Sequence, residues 1–217
     1  MNRFIQKNKT VLILYALLLI VSSVLLLFVS KASLHLFINQ YHNPFFDLFF
    51  KYLTWMGSGW MVAVLFFILL ARYKREAVIF LAGNLLITIF VQGLKHLVFN
   101  NMLRPAAYFK DIHPLYLIPG EAMHLYNSFP SGHSATAFGL FVILIYLTKN
   151  QWGKLAWLFL ALLIAFSRVY LSQHFLMDIL AGSFIGTIGM GFTIYFFDRY
   201  FPEFFSQKTT NETSTTK

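Results

Sequence analysis

Nineteen consecutive positions without a charged side chain, Val11–Val29, constrain this chain more than any other feature. A helix needs about 20 apolar residues to cross a hydrocarbon core of about 30 Å. In lipid every backbone polar group must be satisfied internally, so such a run is read as a helix. Further apolar runs stand at Leu53–Ala71, Ala77–Leu94, Ser134–Thr148, Leu155–Ser167 and Ile179–Phe197. The expected fold class is an all-α membrane protein with six transmembrane helices. They form a single domain over residues 1–205, with a disordered cytoplasmic tail over 206–217. Arg3, Lys7 and Lys9 precede the first run as in a signal peptide, but the run outlasts a normal signal core and no small-x-small cleavage site comes after it, so it is read as a retained helix.

The composition excludes most alternatives. Hydrophobic residues make up 58% of the 217 and charged residues 12%, where soluble domains carry about 25% charge. A soluble cytosolic enzyme, a disordered chain and a coiled coil are therefore ruled out. Lys and Arg number 17 against 8 Asp and Glu, a formal charge of +9. These cations sit singly or in small groups between apolar runs, not in the stripe that nucleic acid requires, so the expected partners are the bilayer and an anionic lipid. With no cysteine there is no disulfide, no thiolate metal site and no cysteine nucleophile.

Flanking charge sets the orientation. With the N-terminus cytoplasmic, the inner side collects Arg3, Lys7, Lys9, Arg72, Lys74, Arg75, Lys149, Lys154, Arg199, Lys208 and Lys217. The outer side collects only Lys31, Lys51, Lys95, Arg104, Lys110 and Arg168. Both termini are thus expected inside, with Trp55 and Trp60 in an outer interfacial belt. The 95–133 loop and the 31–50 segment then face outward, the latter as a short helix on the membrane surface.

Charged groups within or beside spans cost about 2.5–3.5 kcal/mol each at a helix centre, and so mark function. Arg168, His174 and Asp178 interrupt the passage between spans five and six, on the same predicted side as Lys95, Arg104 and His133. The four-residue spacing of His174 and Asp178 places them on one helix face. There a carboxylate can take one ring proton, fix the tautomer and leave the other nitrogen nucleophilic; a self-satisfied pair at a helix start is the plainer alternative. Pro130-Ser131-Gly132-His133 makes a tight start to span four, whose N–H groups suit an anion, whose Ser131 hydroxyl is a further donor and whose His133 can serve as an acid. Its plainer alternative is a turn with Ser131 or Ser134 as N-cap. Guanidinium groups match phosphate oxygens, and three cations beside two histidines and one carboxylate suit a multiply charged anion. They would repel a metal ion, so no metal is expected. Gly182, Gly186 and Gly189, and Ala135, Ala137 and Gly139, read as close helix packing. His35, His42, His96, His113 and His124 read as solvated.

These residues resemble the integral-membrane type 2 phosphatidic acid phosphatases, whose signature runs Lys-x6-Arg-Pro, Pro-Ser-Gly-His, then Ser-Arg-x5-His-x3-Asp. The second motif stands at Pro130–His133, and the third at Ser167-Arg168, His174 and Asp178. In the first, Arg104-Pro105 is present, but Leu97 occupies the lysine position. The nearest upstream lysine is Lys95, which needs a local distortion of the helix to take that role.

The resemblance implies metal-independent hydrolysis of a lipid phosphate or diphosphate, with no cofactor. His174 would form a phosphohistidine, Asp178 would orient it, and His133 would protonate the leaving oxygen and then assist water. Lys95, Arg104, Arg168, Ser131 and the Gly132 N–H would hold the phosphoryl oxygens. The active site would face outward from a bacterial cytoplasmic membrane. Undecaprenyl pyrophosphate ranks first as substrate, ahead of phosphatidylglycerol phosphate, phosphatidic acid and lipid A phosphates. A lipid-linked phosphotransferase and a non-catalytic anionic-lipid binder are the rival readings, and the sequence sets no oligomeric state.

Overall fold

The computed structural model describes residues 2–202, so the expected tail lies outside the described residues. Every regular element among them is helical. In chain order they are α1 (Asn2–Lys7), α2 (Lys9–Phe28), α3 (Lys31–Asn39), α4 (Pro44–Leu53), α5 (Gly59–Arg72), α6 (Lys74–Gly93), α7 (Pro105–Tyr108), α8 (Gly132–Leu147), α9 (Gln151–Tyr170) and α10 (Leu176–Tyr200). A 3-10 turn, Thr54–Gly57, joins α4 to α5, and a π-helical turn, Leu94–Val98, extends α6.

Local chemistry sets several of these boundaries. The Ser30, Asn43 and Asn150 side chains each accept a backbone N–H near the start of α3, α4 and α9, at 3.0, 3.0 and 2.6 Å. Pro44 stands in the first turn of α4, where its missing N–H costs nothing.

Among the described residues four helices are long and apolar enough to cross a membrane: Lys9–Phe28, Lys74–Val98, Gln151–Tyr170 and Leu176–Tyr200. The pair Pro44–Gly57 and Gly59–Arg72, bent by 58°, passes the same test only when its two helices are taken together. The expected uninterrupted span Leu53–Ala71 is therefore broken at Gly57-Ser58-Gly59, where two glycines weaken the helix through their backbone freedom. The fourth apolar run forms α8, whose 16 residues reach only about 24 Å. It is short but enclosed: Ala135, Phe138, Phe141, Val142, Ile143 and Ile145 are all buried.

Around α8 the core is built by Val11 and Tyr15 of α2, Phe80 and Ile87 of α6, Leu158 and Ala165 of α9, and Met190 and Ile194 of α10. Two glycines set the closest approach. A Cβ at Gly182 would fall on the Ser131 carbonyl oxygen, and one at Gly186 on the Ala135 carbonyl oxygen. Only glycine lets α10 lie this close to α8, which brings Asp178 beside the start of α8.

The charged residues sort to the two ends of the bundle. At one end Lys154 Nζ donates to the Lys7 carbonyl at 2.7 Å, and Arg75 pairs with Asp198 at 2.9 Å. At the other end gather α3, α4, the turn after α9 and the 99–131 loop. There the expected solvated histidines divide. His96, His113 and His124 are exposed, whereas His42 is half-buried against Asp47 and His35 is buried. The correction has a physical cause: α3 packs against α9 and α10, which covers the His35 ring with Phe109 and Phe175.

Candidate active site

His174 sits in the turn between α9 and α10. The Arg168 carbonyl, in the last turn of α9, accepts from the backbone N–H groups of Gln173 and His174 at 2.9 and 3.0 Å and folds the chain back on itself. Asp178 lies in the first turn of α10, where a carboxylate also complements the helix dipole. Its Oδ2 accepts from Ser128 Oγ at 2.5 Å, from the Phe175 N–H at 2.9 Å and from His174 Nδ1 at 3.4 Å. Both side chains are enclosed. Burial, reinforced by Arg104, Arg168 and Lys95, holds the His174 imidazole well below the ordinary histidine range. A neutral ring donating from Nδ1 carries its lone pair on Nε2, the nucleophilic arrangement.

Pro130-Ser131-Gly132-His133 enters α8 through a cis Phe129–Pro130 peptide. Ser131 is the N-cap: its Oγ accepts from Ser134 N–H at 3.3 Å and from Ser134 Oγ at 2.9 Å. Its own N–H donates to the Asp178 carbonyl at 3.0 Å, tying the second motif to the third. Gly132 opens the helix, so its N–H has no intrahelical partner. His133 is half-buried, within electrostatic reach of His174, Arg168, Arg104 and Lys95.

Three cations converge on the same end. Lys95, Arg104 and Arg168 are 7%, 9% and 7% exposed. Lys95 Nζ donates to the Asn127 carbonyl at 2.9 Å. Arg104 donates from Nε to the Tyr126 carbonyl at 2.9 Å and from Nη1 to the Gln173 carbonyl and Oε1, both at 3.3 Å. Arg168 Nη1 donates to Thr54 Oγ1 at 2.8 Å, while its buried Nε has no hydrogen-bond partner among the described residues. Each cation is thus oriented by neutral oxygens. None of the three pairs with a carboxylate among the described residues. Leaving buried charges uncompensated costs several kcal/mol per ion, and an anion placed among them would remove that cost. With Asp178 counted, the cluster retains two positive charges when both histidines are neutral, the match for a phosphate monoester dianion.

Sequence reasoning missed the residues that aim these groups. Ser128, Gln173 and Thr54 lie outside the fixed motif positions, and the carbonyls of Tyr126 and Asn127 are invisible to residue type. Gln173 had one available signal, its place immediately before His174. Next to His133 a cavity of about 360 Å³ opens between α5, α6 and α8, lined by Gly57, Val62, Leu85, Ile87, Val91 and Gly132 among others.

The apolar helices and this ring of cations and histidines define an integral-membrane phosphatase acting on lipid phosphates. The chain belongs to the PAP2 superfamily, whose sequence profile matches residues 76–202. It is 29% identical over 176 residues to the lipid A 4'-phosphatase of Bacteroides thetaiotaomicron, covering 76% of this chain and 75% of that one. An undecaprenyl-diphosphatase of Sulfolobus acidocaldarius is 33% identical over 85 residues, 39% of this chain and 38% of that one. Among solved structures, Aquifex aeolicus LpxE superposes with a TM-score of 0.66 at 29% identity, over 75% of this chain and 93% of that one. A PAP2-type phosphatidylglycerolphosphate phosphatase from Bacillus subtilis shares the fold, with a TM-score of 0.65 at 19% identity over 87% and 96%.

Proposed function

We infer that the protein hydrolyses a lipid phosphate monoester through a phosphohistidine, with lipid A-type phosphates as the first substrate class. The observation that carries this reading is the set of three buried cations lacking carboxylate partners among the described residues, with the His174–Asp178 pair in the same cluster. In the first step His174 Nε2 forms a bond to phosphorus as the P–O bond to the lipid breaks. His133, held as the imidazolium by the bound phosphate dianion, donates its proton to the departing oxygen and is left neutral. In the second step His133 takes a proton from water, whose oxygen displaces Nε2 and releases inorganic phosphate. Asp178 holds Nδ1–H throughout, and Lys95, Arg104, Arg168 and the Gly132 N–H stabilise the equatorial oxygens. Such positioned charge is the main catalytic resource in phosphoryl transfer.

The glycolipid preference rests on likeness to two lipid A 4'-phosphatases, each matching 76% of this chain. Undecaprenyl diphosphate is the second reading, supported by the shorter match to the archaeal diphosphatase. The cavity between α5, α6 and α8 gives an acyl tail an apolar place beside His133. The same reading takes residues 1–205 as one domain with six crossings, counting the bent α4–α5 pair and the enclosed α8 as one each. Both termini lie in the cytoplasm and the site faces outward from the inner membrane. The segregation of Lys7, Arg75 and Lys154 to the end opposite Arg104 and Arg168 supports that orientation.

The test is phosphate release by detergent-purified protein in EDTA, over lipid A, phosphatidylglycerol phosphate, phosphatidic acid and undecaprenyl diphosphate. Wild-type turnover is expected with lipid A highest, and none for His174→Ala. Turnover that persists in His174→Ala overturns the phosphohistidine. Phosphate passing to an added acceptor lipid faster than to water makes the protein a phosphotransferase.

A further inference from the structure

Around α3 and α4 runs a polar chain outside the motif residues, with His35 and Asp47 buried, Asn39 and His42 half-buried and Tyr116 exposed. Asp47 accepts from His42 Nδ1 at 2.8 Å, from Tyr170 OH at 2.7 Å and from Tyr116 OH at 3.0 Å. Asn39 Nδ2 lies 3.2 Å from His42 Nε2. Asn39 also pairs with the Tyr116 backbone in both directions, at 2.9 Å each. The chain ends on one hydroxyl, where His35 Nε2 is 3.1 Å from Ser172 Oγ and Asn39 Nδ2 is 3.4 Å from it. His35 and Asn39 are four apart on α3, so one helix face presents both.

Ser172 stands between Arg168 and His174 with φ at +52°, in the left-handed region. A residue with a Cβ stays there only when its surroundings hold it. His35 also meets the Phe175 ring edge-on, with centroids 5.4 Å apart, and stacks on Phe109 at 5.8 Å. It therefore touches the chain on both sides of His174. Burial holds the His35 ring down to about 4, so it is neutral across the working range and its bond to Ser172 does not change with pH there.

We propose that His35, with Asn39 and the Asp47–His42 pair behind it, is a positioning residue: it holds the Ser172 turn and thereby aims His174 at phosphorus. The proposal rests on the reading of His174 as nucleophile. A misplacement of about 1 Å at a reacting group costs on the order of 10²-fold in rate. The signature of positioning is thus a loss in kcat with KM retained. A hydrogen bond that merely fastened α3 to the bundle would change thermal stability and leave kcat alone.

The experiment measures kcat, KM and melting temperature of the purified full chain on its best lipid phosphate. The variants are His35→Ala, Ser172→Ala, their double, His35→Gln and His174→Ala. Each alanine single is expected to lower kcat about tenfold or more, with KM unchanged within about twofold. The double should be no slower than the slower single, because both remove the same contact. His35→Gln, whose amide can still reach Ser172 Oγ, should recover most of the rate. Ser172→Ala removes one oxygen atom and decides the matter if His35→Ala does not fold. A kcat within about twofold of wild type for Ser172→Ala, or losses that multiply in the double, overturns the proposal. Turnover surviving in His174→Ala fails the nucleophile reading instead, so the two failures are distinguishable.

Discussion

Lys95 and Leu97, two residues apart on the π-helical turn Leu94–Val98, point to opposite environments. Lys95 is 7% exposed, with Nζ 2.9 Å from the Asn127 carbonyl, while Leu97 is 85% exposed. Within that turn it is the lysine that lies inward with the other cations, although the motif spacing assigns the position to Leu97.

Lys95→Met should therefore lower kcat/KM by about 10²–10³-fold, the usual cost of one donor to a developing oxyanion. Adding Leu97→Lys should not restore it, because that side chain faces outward. Steady-state phosphate release on the four proteins of this cycle checks both statements.

Ser128→Ala removes the shortest hydrogen bond to Asp178 and leaves two donors on the same oxygen. The expected loss in kcat is about tenfold, since a hydrogen bond to a charged group contributes about 1.5–3 kcal/mol and the remaining donors recover part of it. KM for the lipid should be unchanged, which separates this effect from lost phosphate binding.

Gly182→Ala should act through packing. The new Cβ meets the backbone at Ser131, which cannot move without shifting the start of α8. Overpacking of this kind costs about 1–3 kcal/mol, read as a lower melting temperature in detergent together with loss of turnover. Gly191→Ala, where a Cβ meets nothing within 4 Å, is the matched control.

The pH dependence has a definite sign. His174 and His35 both titrate below the ordinary value of 6.5, His35 at about 4. Below 6.5 the unfolded chain binds more protons than the folded one, so stability is full above that pH and falls as pH drops towards the folded values. Melting temperature should decline between pH 6.5 and 4, and less steeply in His35→Gln. The acid limb of kcat/KM, which reports the free protein, should lie well below 6.5 where His174 governs it.

Much of the candidate site was legible because its groups are close in sequence or in motif. His174 and Asp178 are one helical turn apart, and Pro130–His133 is contiguous at a helix start. The family signature joined these to Arg104 and Arg168. What stayed hidden depends on contacts between distant segments. Thr54 orients Arg168 across 114 residues, and Gln173 meets Arg104 across 69. In the sequence His35 reads as a solvated residue of the 31–50 segment; packing of α3 against α9 and α10 buries it.

By itself the sequence determined that the chain crosses a membrane as helices and that it carries the charges and histidines of a PAP2 phosphatase, because apolar run length and local spacing are one-dimensional quantities. Only the tertiary structure decided which lysine faces the site, where the second span breaks, and which neutral oxygens hold each cation in place. Those outcomes depend on contacts such as Lys95 with the Asn127 carbonyl and Arg168 with Thr54, made between segments that the sequence keeps far apart.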